Sequence, residues 1–471
     1  MPNIVLQKAI LDITALSVLS VEELRDVQGP ADPDEIAAIE SLCNTHPQVL
    51  EATQKLQLPA GTQVINDPWA YGTDDETERR RLYQCYMYLV LNVDPEANHY
   101  SIPLPFSPVF DAYTMTLQWV DYLPLGDEPT VDSITGPWDP VAAVEYSSRL
   151  LKKEGQRTDL TPLHVHQPKG PSFTVNDREV SWQKWKFILG WNLREGPVLY
   201  NVTFGGQPST AFDLGDTGLG INSNSLELGC DCLGHIRYFD GCRVTSTGEL
   251  VQLKNVVCMH EIDAGIGLKH VNFRSQSASV TRNRQLVVQC VATVANYEYI
   301  LAFILDQSAN IHIELRATGI VSTVPISPKA TKVPPWGVKV APGALALNHQ
   351  HLFCLRVNPA IDGQQNSVVF DDIVPLQDGQ TDPYGVAFLP STSTISKPGG
   401  YNLDLTKSRV YRIQNSNVVN PVSGKPVAYK LHALPSQMMI MNEETFNSKR
   451  GIFASEPIWV TAYHDDELYT G

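Results

Sequence analysis

From about Val180 to the end of the chain, the sequence is built of short β-rich runs separated by turn residues, and this pattern limits the possible folds most. Runs such as "WQKWKFILGWN", "GPVLYNVTF" and "NIHIELRATGIVST" alternate with Gly, Pro, Asn and Asp, and helical periodicity almost disappears. Strands at this spacing are typical of a large β-sandwich. A strand buried between two layers accepts a polar side chain only when that side chain finds a hydrogen-bonding partner. Polar residues inside these runs are therefore candidates for a site.

The chain before this region predicts a smaller α+β domain. Residues 32–57 carry apolar side chains at helical spacing behind an acidic first turn, which indicates one or two helices. The run "DDETERRRLYQCYMYLVLN" predicts a further helical stretch leading into a strand, and strands fill the segment from Tyr100 to Tyr122. The predicted fold class is mainly β, a large antiparallel β-sandwich preceded by a small α+β domain.

The predicted domain boundaries follow these changes in pattern. Residues 1–31, with the alternating run "AILDITALSVL", read as a remnant strand and linker of an earlier α+β domain. We expect the α+β domain over residues 32–157, a Pro-rich linker over 158–179, and the β-sandwich over 180–471.

Charge and composition disfavour several classes of partner. The 471 residues carry a net charge of −16, which would repel nucleic acid and anionic membranes. No run approaches the roughly 18 apolar residues of a membrane span, and the N-terminus lacks the pattern of a signal peptide. The eight cysteines show no CxxC zinc pattern. Cys230 and Cys232 are expected to face one way on a strand, as small buried hydrophobic residues.

The first candidate site is the run "TVANYEYILAF", which places an amide and a carboxylate among apolar and aromatic residues. On a strand, side chains alternate, so Tyr297 and Tyr299 share one face while Asn296 and Glu298 share the other. These residues are either part of a functional site or two core tyrosines beside a buried polar network. Glu298 is a candidate for one end of such a network.

The second candidate is "ALNHQHLFCLRV", in which His349 and His351 flank one residue in an apolar run. On a strand both imidazoles project to the same side, about 6 to 7 Å apart. This arrangement suits copper, zinc, iron or nickel, and the alternative is a pair of rings hydrogen-bonded to backbone carbonyls. His164 and His166 have the same spacing but lie in the Pro-rich linker, so they are not counted as a site.

The third candidate is "TAFDLGDTGLGIN", in which Asp213 follows an aromatic residue and precedes a Gly-rich turn. A partly buried carboxylate beside an aromatic wall is a possible general base, because burial raises its pKa towards neutrality. Alternatively, Asp213 and Asp216 only support the turn at Gly215 and Gly218. The sequence contains no GxSxG elbow, P-loop, HExxH or dinucleotide-binding glycine fingerprint.

In order and spacing, the three candidates resemble the copper amine oxidases. "NYEY" is similar to the family's cofactor signature, "HQHLF" to its copper His-x-His, and "FDLGD" to its catalytic-aspartate turn. The runs "SWQKWKF", "LELGCDCLGHIRYFDG" and "CMHEIDAGIGLKH" resemble the fungal and other eukaryotic intracellular branch.

This resemblance implies an activity. Tyr297 would be oxidised to topaquinone in the presence of copper and oxygen, and the quinone would form a Schiff base with a primary amine. Asp213 would act as the proton acceptor at the substrate carbon, and the products would be an aldehyde, ammonia and hydrogen peroxide. The protein supplies placement and proton transfer, while the quinone is the electron sink.

The resemblance also implies roles for other residues. His349 and His351 would be two of three copper-ligating histidines, and Asn296 would orient the cofactor. Ala211 would stand at the gate and leave the entrance open to short aliphatic and aromatic amines.

Further implications concern assembly and compartment. Cys232 and Cys258 fall where relatives form a disulfide. Relatives pair as homodimers whose arms embrace the neighbouring subunit, and the expected location is intracellular, cytoplasmic or peroxisomal.

Two departures from the family pattern accompany the resemblance. The third copper histidine is expected beyond the position where this chain stops, because the segment around His464 aligns upstream of it. Only "GGQP" separates "LYNVTF" from "STAFDLGD", where relatives carry a longer stretch with an active-site tyrosine that Tyr200 does not replace. The sequence thus predicts a copper- and topaquinone-dependent amine oxidase that is C-terminally incomplete. The alternatives are a catalytically impaired relative that keeps the sandwich, and, ranked last, a ligand-binding β-sandwich without redox chemistry.

Overall fold

A computed structural model of the chain describes residues 5–25, 27–73, 75, 77–126, 136–138, 142–151, 157–205, 207–209, 212–214, 218–379, 381–433, 438–445 and 447–464. For residues 207–209 and 212–214 it describes the backbone course alone.

The N-terminal segment is a two-stranded antiparallel hairpin, β1 (Leu6–Asp12) and β2 (Ser17–Leu24). The prediction of a single strand through "AILDITALSVL" is therefore wrong. The carboxylate of Asp12 accepts hydrogen bonds from the backbone N–H groups of Thr14 and Ala15 and so closes the turn. An aspartate that bonds to the backbone two residues ahead favours a turn over a continuous strand.

Two helices and a four-stranded antiparallel sheet form the small α+β domain, as predicted. Asp32 caps the first helix by accepting from the backbone N–H groups of Asp34 and Glu35, and Pro47 opens the second. The elements are α1 (Pro33–Thr45), α2 (Pro47–Lys55), β3 (Gln63–Ala70), β4 (Leu82–Val90), β5 (Phe106–Asp111) and β6 (Thr116–Tyr122). The helices pack on the sheet around Ile39, Cys43 and Phe110.

The helix predicted at "DDETERRRLYQCYMYLVLN" is not present in the described part of this run, which contains strand β4. Seven of the nine residues of β4 are buried, so both of its faces are covered. A continuous apolar run fits a buried helix and a doubly covered strand equally well, and the tertiary packing decided the outcome.

The β-sandwich consists of two five-stranded antiparallel sheets, which confirms the predicted fold class. The first sheet contains β7 (Phe173–Asn176), β8 (Glu179–Trp182), β9 (Trp185–Asn192), β10 (Gly196–Phe204) and β11 (Gln207–Ser209). The second contains β13 (Arg237–Val244), β14 (Leu250–Val271), β15 (Ala278–Val294), β16 (Tyr297–Asp306) and β17 (Ile311–Gly319). Within each sheet the strands are hydrogen-bonded in sequence order. The segment predicted as a linker over 158–179 thus already contains β7.

The two sheets enclose one apolar core. Trp182, Trp185 and Phe187 from the first sheet meet Leu301 and Phe303 from the second, and all five are at most 2% exposed. Burial of large aromatic side chains is a major source of core stability, so this core provides a rigid base for the edge of the second sheet.

Smaller sheets extend the sandwich beyond β17. Two of these sheets have two strands each: β12 (Phe212–Leu214) pairs with β21 (Leu355–Val357), and β24 (Gly399–Tyr401) pairs with β27 (Ile458–Val460). A three-stranded sheet contains β18 (Thr323–Pro325), β19 (Gly337–Ala341) and β20 (Ala344–Leu347). A four-stranded sheet contains β22 (Ser367–Pro375), β23 (Phe388–Thr394), β25 (Val410–Val419) and β26 (Pro426–Leu431). Two 3₁₀ helices cover Leu405–Lys407 and Asn447–Ser455.

The α+β domain docks close to the end of β17. The carbonyl of Tyr100 accepts a hydrogen bond from the Thr323 hydroxyl at 3.0 Å, and Asp34 pairs with Arg243 at 3.4 Å. Within the described residues, no helix is long and apolar enough to cross a membrane.

Candidate active site

Tyr297 is the first residue of β16, directly after the tight turn that joins β15 to β16. The turn is formed by Ala295, whose φ is +53°, and Asn296, and Val294 pairs with Tyr297 across it. Asn296 therefore lies in the turn, and the prediction that it shares a strand face with Glu298 is wrong. Leu301, on the same strand face as Tyr297, is buried in the core, so the tyrosine extends that face at the edge of the sheet.

Asn296 fixes the turn to the segment that follows β17. Its side-chain N–H₂ group donates to the carbonyl of Ile320 at 2.6 Å and to the hydroxyl of Ser322 at 2.8 Å. In return, the backbone N–H of Ile320 donates to the carbonyl of Asn296 at 2.7 Å. Because Asn296 is only 6% exposed, these bonds form away from solvent and hold the two segments firmly together.

The Tyr297 hydroxyl is held from two sides. It accepts a hydrogen bond from the backbone N–H of Ser322 at 3.0 Å and lies 2.7 Å from Nε2 of His349. The ring of His351 packs edge-on against the Tyr297 ring, with centroids 4.6 Å apart. The structure thus brings together Tyr297 and both residues of the His-x-His motif. Asn296 contributes indirectly, because it anchors the segment that holds this hydroxyl.

The His-x-His segment does not belong to a β-strand, contrary to the prediction. Residues 348–354 lie between β20 and β21 without regular secondary structure. Even so, the rings of His349 and His351 lie on the same side, with centroids 4.9 Å apart. An extended chain alternates its side chains whether or not it pairs with a neighbour, so the predicted orientation holds without the predicted strand.

The hydrogen bonds of the two rings indicate which nitrogen of each carries the lone pair that a metal would need. Nδ1 of His349 lies 2.7 Å from the carbonyl of Leu347, which can only accept, so we assign the ring proton to Nδ1 and a lone pair to Nε2. The Tyr297 hydroxyl then donates to Nε2. Nδ1 of His351 lies 2.8 Å from the Tyr299 hydroxyl, and with the proton on Nδ1 the lone pair of this ring is on Nε2. Bonds of this kind at the second nitrogen are typical of metal-ligating histidines.

Electrostatics also favour the metal-binding form of the His351 ring. Burial, together with the neighbouring His349, lowers the pKa of His351 below its usual value, so the neutral imidazole is favoured at neutral pH. Burial raises the pKa of Tyr299, which therefore keeps its proton as a neutral hydrogen-bonding partner. A neutral imidazole is the form that binds a metal.

Glu298 is one end of a polar network, as predicted. Its carboxylate accepts from the hydroxyl of Thr293 at 2.8 Å and from the side-chain N–H₂ group of Asn224 at 3.3 Å. The backbone N–H of Asn224 donates to the carbonyl of Val291 at 2.9 Å. The network ties the segment around Asn224 to the hairpin that carries Tyr297.

Asp213 lies on strand β12, where its backbone is paired with Arg356 on β21. β21 begins at Leu355, four residues after His351, so the backbone of Asp213 lies on the strand pair that leads out of the His-x-His segment. Ala211, the predicted gate residue, lies outside the described residues, as do Gly215 and Asp216.

The structure differs from the two predictions for the cysteines, which were that Cys230 and Cys232 face one way on a strand and that Cys232 and Cys258 form a disulfide. Gly229–Asp231 form a turn, so Cys230 is exposed while Cys232 is buried, and the two do not face one way on a strand. Cys232 and Cys258 are free thiols in contact with each other, and the disulfide implied by the resemblance is not formed in the structure. Burial raises the pKa of Cys258, so the thiolate needed to form a disulfide is disfavoured.

The part of the chain that the structure describes contains no cluster of three His, Cys, Asp or Glu residues suited to a metal. His164, His166 and His464 are exposed and lie in segments without regular structure. Tyr200 lies on β10, where its ring packs over Gly190. Two imidazoles with a lone pair on Nε2 fit copper, which at His349 would replace the hydrogen bond from the Tyr297 hydroxyl. The donor set within the described residues contains two of the three histidines that the resemblance implies.

The sequence reasoning missed several contributors. Ser322 acts through its backbone N–H, Leu347 through its carbonyl, and Gln350 through contacts described below. Backbone groups carry no residue-type signal, so only Gln350, placed between two candidate ligands, could have been noticed.

Comparisons with known proteins identify the family of the chain. The enzyme-domain family described as "Copper amine oxidase, enzyme domain" matches residues 207–471, and "Copper amine oxidase, N3 domain" matches residues 34–127. Copper amine oxidase 1 of Aspergillus niger is 38% identical over 91% of this chain and 68% of its own length. The peroxisomal primary amine oxidase of Pichia angusta is 32% identical over 98% of this chain and 71% of its own length. The crystal structure of a copper-containing benzylamine oxidase from Hansenula polymorpha superimposes with a TM-score of 0.93 and 41% identity, covering 99% of this chain and 76% of that one.

Fold and site together define a mainly β oxidoreductase with a tyrosine beside a pair of histidines. The chain belongs to the copper amine oxidase family, and relatives named as primary amine oxidases place it among the enzymes that act on primary amines.

Proposed function

We propose that this chain oxidatively deaminates primary amines with dioxygen and water, giving aldehydes, ammonia and hydrogen peroxide, and that it uses copper and a quinone derived from Tyr297. The observation that carries the proposal is the 2.7 Å contact between the Tyr297 hydroxyl and Nε2 of His349, next to the edge-packed ring of His351. When bound, copper would support the oxidation of Tyr297 by dioxygen, and the resulting quinone would be the electron sink for the amine.

The residues of the chain would supply placement and proton transfer. His349 and His351 would bind copper through Nε2, in orientations set by the Leu347 carbonyl and the Tyr299 hydroxyl. Asp213 would accept a proton from the substrate carbon, as the resemblance implies and as its position beside β21 allows. The net charge of −16 would attract cationic amines to the surface.

The test is to load metal-free protein with copper(II) in air and follow quinone absorbance and a redox-cycling stain. We expect the wild type to develop both signals and Tyr297→Phe to develop neither. Tyr113→Phe, at an exposed tyrosine in the turn between β5 and β6, serves as the matched control and should behave like the wild type. A copper-loaded wild type without quinone would contradict the proposal.

The alternative of a catalytically impaired relative is not favoured by the comparisons, which match enzymes named as oxidases. Metal analysis separates the two readings directly. Stoichiometric, tightly bound copper supports the oxidase, whereas copper that is lost on dialysis supports the impaired relative.

We further infer that the chain forms a homodimer through the outer half of the β14–β15 hairpin. Residues 266–282 are all exposed, and they include apolar side chains: Ile266 at 56%, Leu268 at 55% and Phe273 at 72% exposure. Apolar side chains on a projecting arm are suited to a partner surface. Sedimentation analysis should give a dimer, and a monomer at micromolar concentration would refute the inference.

We also infer an intracellular location, cytoplasmic or peroxisomal, because relatives from Pichia angusta and Nicotiana tabacum are named peroxisomal. Imaging of a fluorescent fusion beside a peroxisomal marker would test it, and secretion of the fusion would contradict it.

A further inference from the structure

The His-x-His segment has two functional sides. His349, His351 and Phe353 are exposed and lie on the side of the tyrosines, whereas Gln350 and Leu352 are half-buried on the opposite side. This alternation means that whatever holds the half-buried side also determines the direction in which the two imidazoles point.

Gln350 binds the backbone of a distant segment through both ends of its amide group. Its Nε2 donates to the carbonyl of Met438 at 2.9 Å, and its Oε1 accepts from the backbone N–H of Ile440 at 2.8 Å. The two bonds bracket Met439, so the amide group is fixed both in position and in rotation. A single hydrogen bond would leave the rotation free.

The segment that receives Gln350 is itself anchored. The backbone N–H of Met439 donates to the carbonyl of Ala454, at the end of the 3₁₀ helix Asn447–Ser455. Gly451 of that helix lies so close that an added Cβ would be 3.1 Å from Leu352 and 3.3 Å from Met439. The half-buried side of the His-x-His segment therefore packs on a supported surface formed by residues 438–440 and 447–455.

We propose that Gln350 is a positioning residue for the metal site, whose two amide hydrogen bonds aim Nε2 of both neighbouring histidines at one point. This inference rests on the proposed function, because it concerns the copper ligands. Residues 348–354 belong to no strand, so the amide of Gln350 takes the place of the backbone pairing that would otherwise set their register. Groups that orient metal ligands typically change metal affinity by about 10- to 100-fold when removed.

The experiment compares three variants of the full chain. Gln350→Met keeps the length of the side chain and removes both hydrogen bonds, while Gln350→Glu keeps the acceptor for the Ile440 N–H. Gln364→Ala, at an exposed glutamine in a loop, is the control. Copper(II) affinity is measured by chelator competition, coordination by electron paramagnetic resonance, and the ring tautomers of ¹⁵N-labelled histidines by NMR of the metal-free protein.

We expect Gln350→Met to weaken copper(II) binding by about 10- to 100-fold, with Gln350→Glu in between and the control within about twofold of the wild type. The electron paramagnetic resonance spectrum of copper-loaded Gln350→Met should be broader than that of the wild type. In the metal-free variant, His349 should no longer be held in the single Nδ1–H tautomer. The midpoint temperature of thermal unfolding should change little. If Gln350→Met does not fold, Gln350→Glu provides the test. A loss of copper(II) affinity in this variant supports the proposal, and wild-type affinity contradicts it. Wild-type affinity, spectrum and tautomers in both variants would overturn the proposal.

The metal-free measurement separates this proposal from the proposed function. If the wild type binds no copper(II), the oxidase proposal fails, and an unchanged His349 tautomer in Gln350→Met then also overturns the positioning role. A changed tautomer supports the positioning role whatever the copper result.

Discussion

Strand β15 connects two hairpin ends that are built in different ways. At its C-terminal end the turn to Tyr297 is held by Asn296 and by the Glu298 network. At its N-terminal end β15 pairs with β14, and the outer half of this hairpin spans residues 263–284. Most of these residues are exposed. The outer half extends about 25 Å beyond the core, at about 3.3 Å per residue.

The difference shows what a site requires beyond a strand. Both ends have antiparallel backbone pairing, but the Tyr297 end also has side-chain hydrogen bonds to Ile320 and Asn224, outside its own hairpin. Among the described residues, the side-chain hydrogen bonds of 266–282 stay within the β14–β15 hairpin. Those bonds place a hydroxyl within 2.7 Å of an imidazole nitrogen. The other end is available for contacts with another subunit.

The largest contrast is expected from a methyl group added at each end. The Cβ of Gly319→Ala would lie 2.6 Å from the Asn296 carbonyl, at a φ of +100°, whereas that of Gly265→Ala, at +95°, meets nothing within 4 Å. Strain and backbone overlap should cost Gly319→Ala about 3 kcal/mol, and strain alone should cost Gly265→Ala about 1 kcal/mol. Urea unfolding measures both. Equal losses would show that the Tyr297 turn is no more tightly packed than the arm.

The second contrast uses two acids on β14, separated by one residue. Burial alone would raise the pKa of Glu261, but hydrogen bonds from the backbone N–H of Ser172 and the side chains of Gln167 and Trp182 outweigh it and hold the pKa below 4.5. Exposed Asp263 has a pKa of about 2, because Arg282 donates to it.

A carboxyl group whose pKa is lower in the folded than in the unfolded state stabilises the fold at pH values above its unfolded-state pKa. This stabilisation is lost as the pH falls through the folded-state pKa. Wild-type stability should therefore fall as the pH decreases below about 4.5. Glu261→Gln should cost about 2 kcal/mol at pH 7 and flatten this slope, since it leaves buried donors poorly paired. Asp263→Asn should leave stability at pH 7 nearly unchanged, because water and salt screen its exposed ion pair with Arg282. Unfolding curves between pH 7 and 3 test this, and an equal effect of both variants would contradict it.

A smaller contrast comes from two threonines on β15. Thr293→Val removes the hydroxyl that donates to Glu298 at 2.8 Å and should cost about 1 kcal/mol, with lower quinone yield. Thr281→Val, on the exposed half, should have little effect or be slightly stabilising, because valine favours strands. Chemical denaturation and the quinone stain test both predictions. Wild-type stability and quinone yield in Thr293→Val would show that the Glu298 network does not support the site.

The smallest effect on the fold is expected at the tip of the arm. Phe273 is 72% exposed, so Phe273→Ser should change the free energy of unfolding of the monomer by less than about 0.5 kcal/mol. The same variant should weaken self-association in sedimentation experiments. A large loss of monomer stability would show that the arm packs on its own subunit.

Much of the site could be predicted because its chemistry resides in side chains at strand or extended spacing. Tyr297, His349 and His351 were all identified from the sequence, and their alternation survived even where the predicted strand did not form. Asn296 was assigned to the wrong local structure, because a two-residue turn inside an apolar run carries no glycine or proline signal. β4 was partly mistaken for a helix for a related reason, since a buried apolar run has no distinguishing period.

By itself the sequence determined the mainly β class and the α+β domain before the sandwich, and it singled out Tyr297, His349 and His351 as candidates, because these inferences depend on local pattern and residue type. Only the tertiary structure decided how those groups meet. The N–H of Ser322, the carbonyl of Leu347 and the amide-to-backbone bonds of Gln350 join segments that are far apart in the chain or act through the backbone. Such contacts depend on how the sheets pack, and no local pattern of residues encodes them.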